Sequence, residues 1–219
     1  MALHTVKTVL LHEVTCDGML IQVKDKENSR FLLSDGTIVH SRMLRDEPYR
    51  LIAPYQGEML AGFIFCHQPK RILHIGLGGG CMVKYIHHYW KHIHQDIIEK
   101  YREIVDIAHN FFELPTSERV NIQVADADIL RKIHSEDRYD LIFLDACDSH
   151  GHLPQFYTPD YIAILKNLLT PRGCLVGNSW DCLQPLTHQL SIWKELFPKV
   201  FHWTHDQQSV LYGVQNIEQ

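Results

Sequence analysis

The four residues Asp145-Ala146-Cys147-Asp148 carry the sharpest chemical signal in the chain. Asp145 emerges from a strongly apolar run, Tyr139–Leu144 (YDLIFL), so its carboxyl begins near low dielectric, where its pKa rises. Asp148, three residues on, is a second carboxylate that raises it further in one of the two. Such a pair can hold a cationic amine and also accept its proton. That proton matters, because an alkylammonium has a pKa near ~10 and its nitrogen lone pair must be freed before it attacks. In the plainer reading Asp148 caps the following loop and Asp145 alone is functional. Cys147 has no base beside it in sequence and reads as small packing.

A second signal lies upstream in Ile72–Met82, ILHIGLGGGCM. The apolar run Ile72–Ile75 has the look of a buried strand and breaks into Gly76, Gly78, Gly79 and Gly80. Met82, Ile86, Tyr89 or Trp90, and Ile93 then recur at helical spacing. Strand, glycine turn and helix open a nucleotide-binding βαβ unit, in which glycine lets the backbone turn sharply and approach a ligand. By itself such a cluster also fits a plain tight turn.

The elements that position these residues follow from periodicity. Beyond residue 70, strands Ile97–Glu99, Val120–Val124, Tyr139–Leu144 and Cys174–Gly177 alternate with helices Arg102–Glu113, Ala127–His134, Thr158–Leu169 and Pro185–Phe197. Thr158-Pro159 supplies an N-cap and a first-turn proline. Val200–Trp203 and Val210–Val214 form a closing hairpin, whose last strand should run antiparallel at one edge. Alternation of this kind implies a parallel sheet covered on both faces, and with the antiparallel hairpin the layout resembles that of AdoMet-dependent transferases. Before it, Met19–Val23, Phe31–Leu33 and Thr37–Val39 read as a small meander, and Leu51–Phe65 as a helix. The expected fold class is therefore α/β, a Rossmann-like sheet with a small N-terminal β-meander domain. The boundary falls near residue 69, dividing 1–69 from 70–219.

In an open parallel sheet, ligands bind beyond the carboxyl ends of the strands. There stand the glycine turn, Glu99, Asp126, Asp145 and Asp148. A carboxylate at the end of the second strand suits two ribose hydroxyls, each donating to one oxygen. Asp126 suits an adenine amino group. Each acid taken singly also fits a helix cap or a solvated turn, but their convergence on one rim points to a nucleoside site.

Bulk properties narrow the class. The net charge of −5 gives no general attraction to nucleic acid or an anionic membrane. No apolar run approaches the ~20 residues needed to span a bilayer, and the N-terminus does not read as a signal peptide. The six cysteines are scattered without a C-x-x-C pair, which suggests reduced thiols and a cytoplasmic location. Among the sixteen histidines, His88 and His92 are four apart and could share a metal, but the helix reads as a surface element and no metal is expected. His150 and His152, beside the acid pair, could hydrogen-bond an acceptor. Trp180 could wall an acceptor pocket.

From about Arg30 to Val214 the chain resembles the polyamine aminopropyltransferase family, spermidine synthase and its relatives. The likeness rests on Asp35-Gly36, Tyr55-x-x-Glu58-Met59-Leu60, Pro69-Lys70-Arg71-Ile72-Leu73 into the glycine turn, and Ile98-Glu99. It continues through Ala125-Asp126-Ala127, Tyr139–Ile142, Asp145–Asp148, Phe156-Tyr157-Thr158 and Leu169-x-Pro171-x-Gly173. The resemblance implies that Glu99 binds ribose, that Asp126 sits at adenine, and that Asp145 and Asp148 bind and deprotonate the attacking amine. It places Tyr55 near the active site and puts His40 where the family has a glutamine. By the same likeness the donor is decarboxylated S-adenosylmethionine, the partner a small-molecule amine such as putrescine, and the assembly a homodimer through the meander.

The chain also departs from the family. Gly79 stands where the family turn carries an acid that pairs with the ammonium of the decarboxylated donor, and Ser149–His152 replaces a proline after the acid pair. Removing that acid removes the main electrostatic discriminator against ordinary S-adenosylmethionine. A methyltransferase of unknown acceptor and a non-catalytic nucleoside-binding relative are the rival readings. The expected site comprises Asp145 and Asp148 for catalysis, Gly76, Gly78, Gly79, Gly80, Glu99 and Asp126 for the nucleoside, and Tyr55, His40 and His150 for the substrate.

Overall fold

The computed structural model describes residues 7–66, 68–132, 138–148, 151–180, 185–206 and 208–216, with the backbone alone at Asp148 and His152. The chain opens with four antiparallel strands in sequential order, β1 (Thr8–Cys16), β2 (Met19–Lys26), β3 (Ser29–Ser34) and β4 (Ile38–Leu44). Asp17 and Gly18, the two residues between β1 and β2, both have positive φ, the geometry of a tight hairpin. The meander thus has four strands where the sequence suggested three. β1 escapes pattern reading because Val9, Leu10 and Leu11 are all exposed and its register on β2 shifts between Leu10 and His12.

A meander this small needs something to pack on. Cys16, Ile21, Val23, Leu32 and Met43 close over Ile104, Ile107 and Phe112 of α3 (Arg102–Phe112) in one buried cluster. Each aliphatic side chain buried there contributes roughly 1.5–3 kcal/mol. Cations complete the seam at the C-terminus of α3, whose last carbonyls lack partners within the helix. Arg30 ion-pairs with Asp25 at 2.8 Å and donates to the Phe111 carbonyl at 2.8 Å. Lys84 donates to the Phe112 carbonyl at 2.7 Å and touches Met43 Sδ at 2.9 Å, and its burial lowers its pKa.

The connecting helix α1 (Pro54–Leu60) gives way to a 3-10 turn over Ala61–Ile64. The larger sheet then runs β5 (Arg71–Ile75), β6 (His94–Glu99), β7 (Val120–Val124), β8 (Tyr139–Leu144), β11 (Leu169–Trp180), β12 (Lys199–His205) and β13 (Gln208–Val214). A two-residue hairpin, β9 (Cys147–Asp148) with β10 (Gly151–His152), sits between β8 and β11. The helices between strands are α2 (Cys81–Tyr89), α3, α4 (Pro159–Asn167) and α5 (Leu186–Leu196), with a 3-10 segment at Ala127–Lys132. Thr158 caps α4 through its hydroxyl to the Tyr161 N–H, as its sequence suggested.

Strand order is β12-β13-β11-β8-β5-β6-β7. Pairs from β11 through β7 are parallel, while β13 runs antiparallel to both β11 and β12. The hairpin strand expected at the edge is therefore one place inside it, and β12 forms the edge. The chain builds outward from β5 on one side to β6 and β7, then returns to lay β8 and β11 on the other. That reversal beside β5 opens a crevice at the strands' carboxyl ends. Among the described residues, no helix is long and apolar enough to cross a membrane.

Candidate active site

The crevice is a cleft of about 1300 Å³, open mouth included. Gly76, Leu77 and Gly78 of the turn, Glu99, Asp126 and Asp145 line it from the large sheet, and His40 and Ser41 of β4 line it beside the turn. Tyr55 and Cys147 also face it.

The glycine turn passes extremely close to the end of β8. Gly76 has φ +97, and a Cβ there would lie 2.6 Å from the Asp145 carbonyl oxygen, so glycine is required on both counts. Gly79 and Gly80 behave differently from the expectation. Both are buried behind the turn and neither lines the cleft. The Gly79 N–H donates to Ser41 Oγ at 2.8 Å, and Gly80 forms the left-handed N-cap of α2.

Glu99 is buried, 8 % exposed, at the end of β6. Its oxygens accept from the Leu77 and Tyr101 N–H groups, each at 3.0 Å. Burial raises its pKa, and the backbone donors oppose that rise. The carboxylate therefore fastens the glycine turn to β6 while forming part of the cleft wall. Asp126 lies on the rim, exposed, with Oδ1 accepting from the Asp128 N–H at 2.9 Å. It caps the 3-10 segment as the plainer reading of a strand-end acid has it, and lines the cleft as well.

Asp145 is a second cleft carboxyl whose pKa is raised. Burial pushes its pKa up to about 6, against the hydrogen bonds of Asn178 and Tyr55. Asn178 Nδ2 donates to Asp145 Oδ1 at 2.8 Å, and Gln208 Nε2 donates to Asn178 Oδ1 at 2.7 Å. Tyr157 donates to the Asn178 carbonyl oxygen, fixing β11 at that point. Burial also lifts the Tyr55 hydroxyl well above the ordinary tyrosine range, so it stays a donor. A carboxylate held by an amide and a phenol, near neutral in its titration, can receive a proton from a bound amine.

Asp148 follows on β9, and its side chain lies outside what the structure describes, as does that of His152; His150 lies outside the described residues. His40 lines the cleft, but both ring nitrogens already have protein partners, Ser34 Oγ at 2.7 Å from Nε2 and Cys147 Sγ at 3.5 Å from Nδ1. Cys147 is therefore exposed and paired with a base, where the sequence suggested inert packing. Trp180 is not among the residues lining the cleft. His88 stacks on Tyr49 with ring centroids 4.1 Å apart, away from the cleft. Asn178 and Gln208 were missed by sequence reasoning. Their one advance signal was that Asn178 follows an apolar strand, as the acids do.

A family model described as the spermine/spermidine synthase domain matches residues 54–200. A polyamine aminopropyltransferase from Vibrio vulnificus is 28% identical over 209 residues, covering 93% of this chain and 70% of that protein. One from Chromobacterium violaceum is 28% identical over 162 residues, covering 74% of this chain, and the match spans 62% of the relative's length. Among solved structures, a probable spermidine synthase from Corynebacterium glutamicum superposes with TM-score 0.82 at 20% identity, covering 95% of this chain and 80% of that one. A spermidine synthase in complex with the transition state analogue AdoDATO superposes with TM-score 0.78 at 15% identity, covering 95% and 74%. These superpositions show the same fold.

Proposed function

The chain belongs to the spermine/spermidine synthase family, and we propose that it moves an aminopropyl group from decarboxylated S-adenosylmethionine to a small amine such as putrescine. Asp145 is the observation that carries this reading. It ends the strand beside the glycine turn, Asn178 and Tyr55 hold it, and with a pKa of about 6 it is mostly ionised at neutral pH. An ionised carboxylate there attracts an alkylammonium and then takes its proton.

The residues divide the work as follows. Gly76, Gly78 and Glu99 hold the nucleoside, Glu99 at the ribose, with Asp126 at the adenine edge. Tyr55 and Asp145 orient the amine, and Asp148 supports it. The freed nitrogen lone pair attacks the carbon next to the sulfonium. The carbon–sulfur bond breaks, and sulfur leaves with the electron pair as methylthioadenosine. The proton passes to Asp145. No group on the protein need bond covalently, so positioning supplies much of the rate.

The donor's ammonium finds no acid at Gly79. Discrimination against the carboxylate of ordinary S-adenosylmethionine then falls to the acids that remain in the cleft, Asp145 first. The reading includes a homodimer through the N-terminal sheet, cytoplasmic residence and a unit boundary near residue 69.

Calorimetric titration with both donors and with methylthioadenosine tests it. Decarboxylated S-adenosylmethionine is expected to bind at least about tenfold tighter than S-adenosylmethionine, a difference of about 1.4 kcal/mol. Equal or tighter binding of S-adenosylmethionine overturns the aminopropyl assignment and turns the search to methyl acceptors.

A further inference from the structure

The cleft holds a nucleophile that aminopropyl transfer does not use. Cys147 Sγ lies 3.5 Å from His40 Nδ1, and His40 Nε2 lies 2.7 Å from Ser34 Oγ. With the Nε2–H donating to Ser34, the Nδ1 lone pair faces the thiol and can take its proton. Nucleophile, base and orienting hydroxyl thus form one connected chain from the β9–β10 hairpin to the N-terminal sheet. The described cysteines differ sharply in setting. Cys16, Cys66, Cys81 and Cys174 are buried, and burial pushes the thiols of Cys16 and Cys66 up to about 11, whereas Cys147 is exposed in the wall of the cleft. We propose that Cys147 is an activated thiol and the site at which peroxide modifies this protein inside its own substrate cleft.

The step is self-contained once hydrogen peroxide is the oxidant. Cys147 passes its proton to His40, and the thiolate sulfur attacks one peroxide oxygen. The O–O bond breaks, and the departing hydroxide takes the proton back from the imidazolium as water. Sulfur is left as sulfenic acid, oxidised by two electrons, and a thiol reductant restores it. Groups around the sulfur pull in both directions. Asp145 at the end of β8 opposes a second negative charge, whereas Tyr55 and Tyr157, held protonated by burial, carry none. Asp148 follows directly in sequence. His40 counters them by contact, since a thiolate beside an imidazolium is favoured.

The test labels the intact full-length chain with iodoacetamide between pH 6 and 9 and reads each cysteine by mass spectrometry. An ordinary thiol of pKa ~8.5 slows about 50-fold between pH 8.5 and 6.5. Cys147 is expected to slow less than about tenfold, while the buried cysteines label far more slowly throughout. His40→Gln should restore the steep profile, and Ser34→Ala should steepen it in part by freeing the imidazole. After peroxide, dimedone should tag Cys147, and dithiothreitol added first should abolish the tag. An ordinary-thiol profile at Cys147 in the unaltered protein, or an unchanged rate in a folded His40→Gln variant, overturns the proposal. Labelling reads the sulfur whether or not an aminopropyl group moves, so failure here leaves the transfer reading standing.

Discussion

Asp145 holds its raised pKa at the expense of stability. Its folded pKa, about 6, lies above the ordinary 3.8, so between those values the folded chain binds more protons than the unfolded one. The sign follows directly: this group's stabilisation is complete in acid and is lost as pH rises through about 6, by up to about 3 kcal/mol. Asp145→Asn keeps the shape and removes the charge. At pH 7.5 its melting temperature should equal or exceed that of the unaltered protein, while amine-dependent turnover falls about 100-fold or more. In the unaltered protein, kcat/KM should rise with pH through about 6. Steady-state kinetics alongside thermal melts check both, and a variant that keeps its turnover removes Asp145 from the base role. Asp145 itself was legible in sequence because an acid ending an apolar run is a local pattern. Its partners were not. Asn178 arrives 33 residues later, and the His40 that pairs with Cys147 lies 107 residues away, distances at which one chain carries no spacing rule.

The unit β5–α2–β6 carries the glycine turn, and a buried histidine locks it. His74 Nε2 bonds Gln95 Oε1 at 3.0 Å, and Gln95 Nε2 reaches the Val83 carbonyl at 3.1 Å, joining both strands to the helix. Burial lowers the His74 pKa to about 4 from 6.5. Here the unfolded chain binds more protons between those values, so the stabilisation is present above about 6.5 and is lost as pH falls to about 4. Replacing His74 with Gln should flatten the acid limb of the stability curve by about 3 kcal/mol between pH 6.5 and 4, read by urea unfolding at each pH. A curve of unchanged slope would mean the ring is not the titrating group. Elements as regular as β5 and β8 could be read from their apolar runs alone. Others could not, for stated physical reasons. Pro171 and Gly173 signal a turn, yet β11 runs through them because its register on β8 shifts between Leu169 and Cys174 and absorbs the irregularity. The expected helix over Leu51–Phe65 begins at Pro54 and tightens to 3-10 geometry at Ala61. There Gly62 comes so close to Val176 that a Cβ would lie 2.6 Å from its side chain.

At the scale of the whole molecule, the meander, α3 and the glycine turn meet at Gly79. A Cβ on Gly79 would lie 2.8 Å from Phe112 Cδ1 and 3.0 Å from Ser41 Cβ. Neither neighbour has room to withdraw, because Phe112 is 0% exposed in the cluster shared by β2, β3, β4 and α3, and Ser41 is held in the β4 ladder. Gly79 is thus packed shut between α3 and the N-terminal sheet, and the same contact couples that sheet to the turn that lines the cleft. Gly79→Ala tests the coupling. Overpacking of this kind costs about 1–3 kcal/mol, which for a chain of 219 residues lowers the melting temperature by about 2–4 °C per kcal/mol. Because the strain falls on the segment next to Leu77 and Gly78, methylthioadenosine affinity should drop with it. Phe112→Leu made in the same chain should recover part of both losses, a positive coupling in the double-mutant cycle. Additive losses would mean that the turn and the meander touch at Gly79 without constraining each other, and that the cleft is shaped by the large sheet alone.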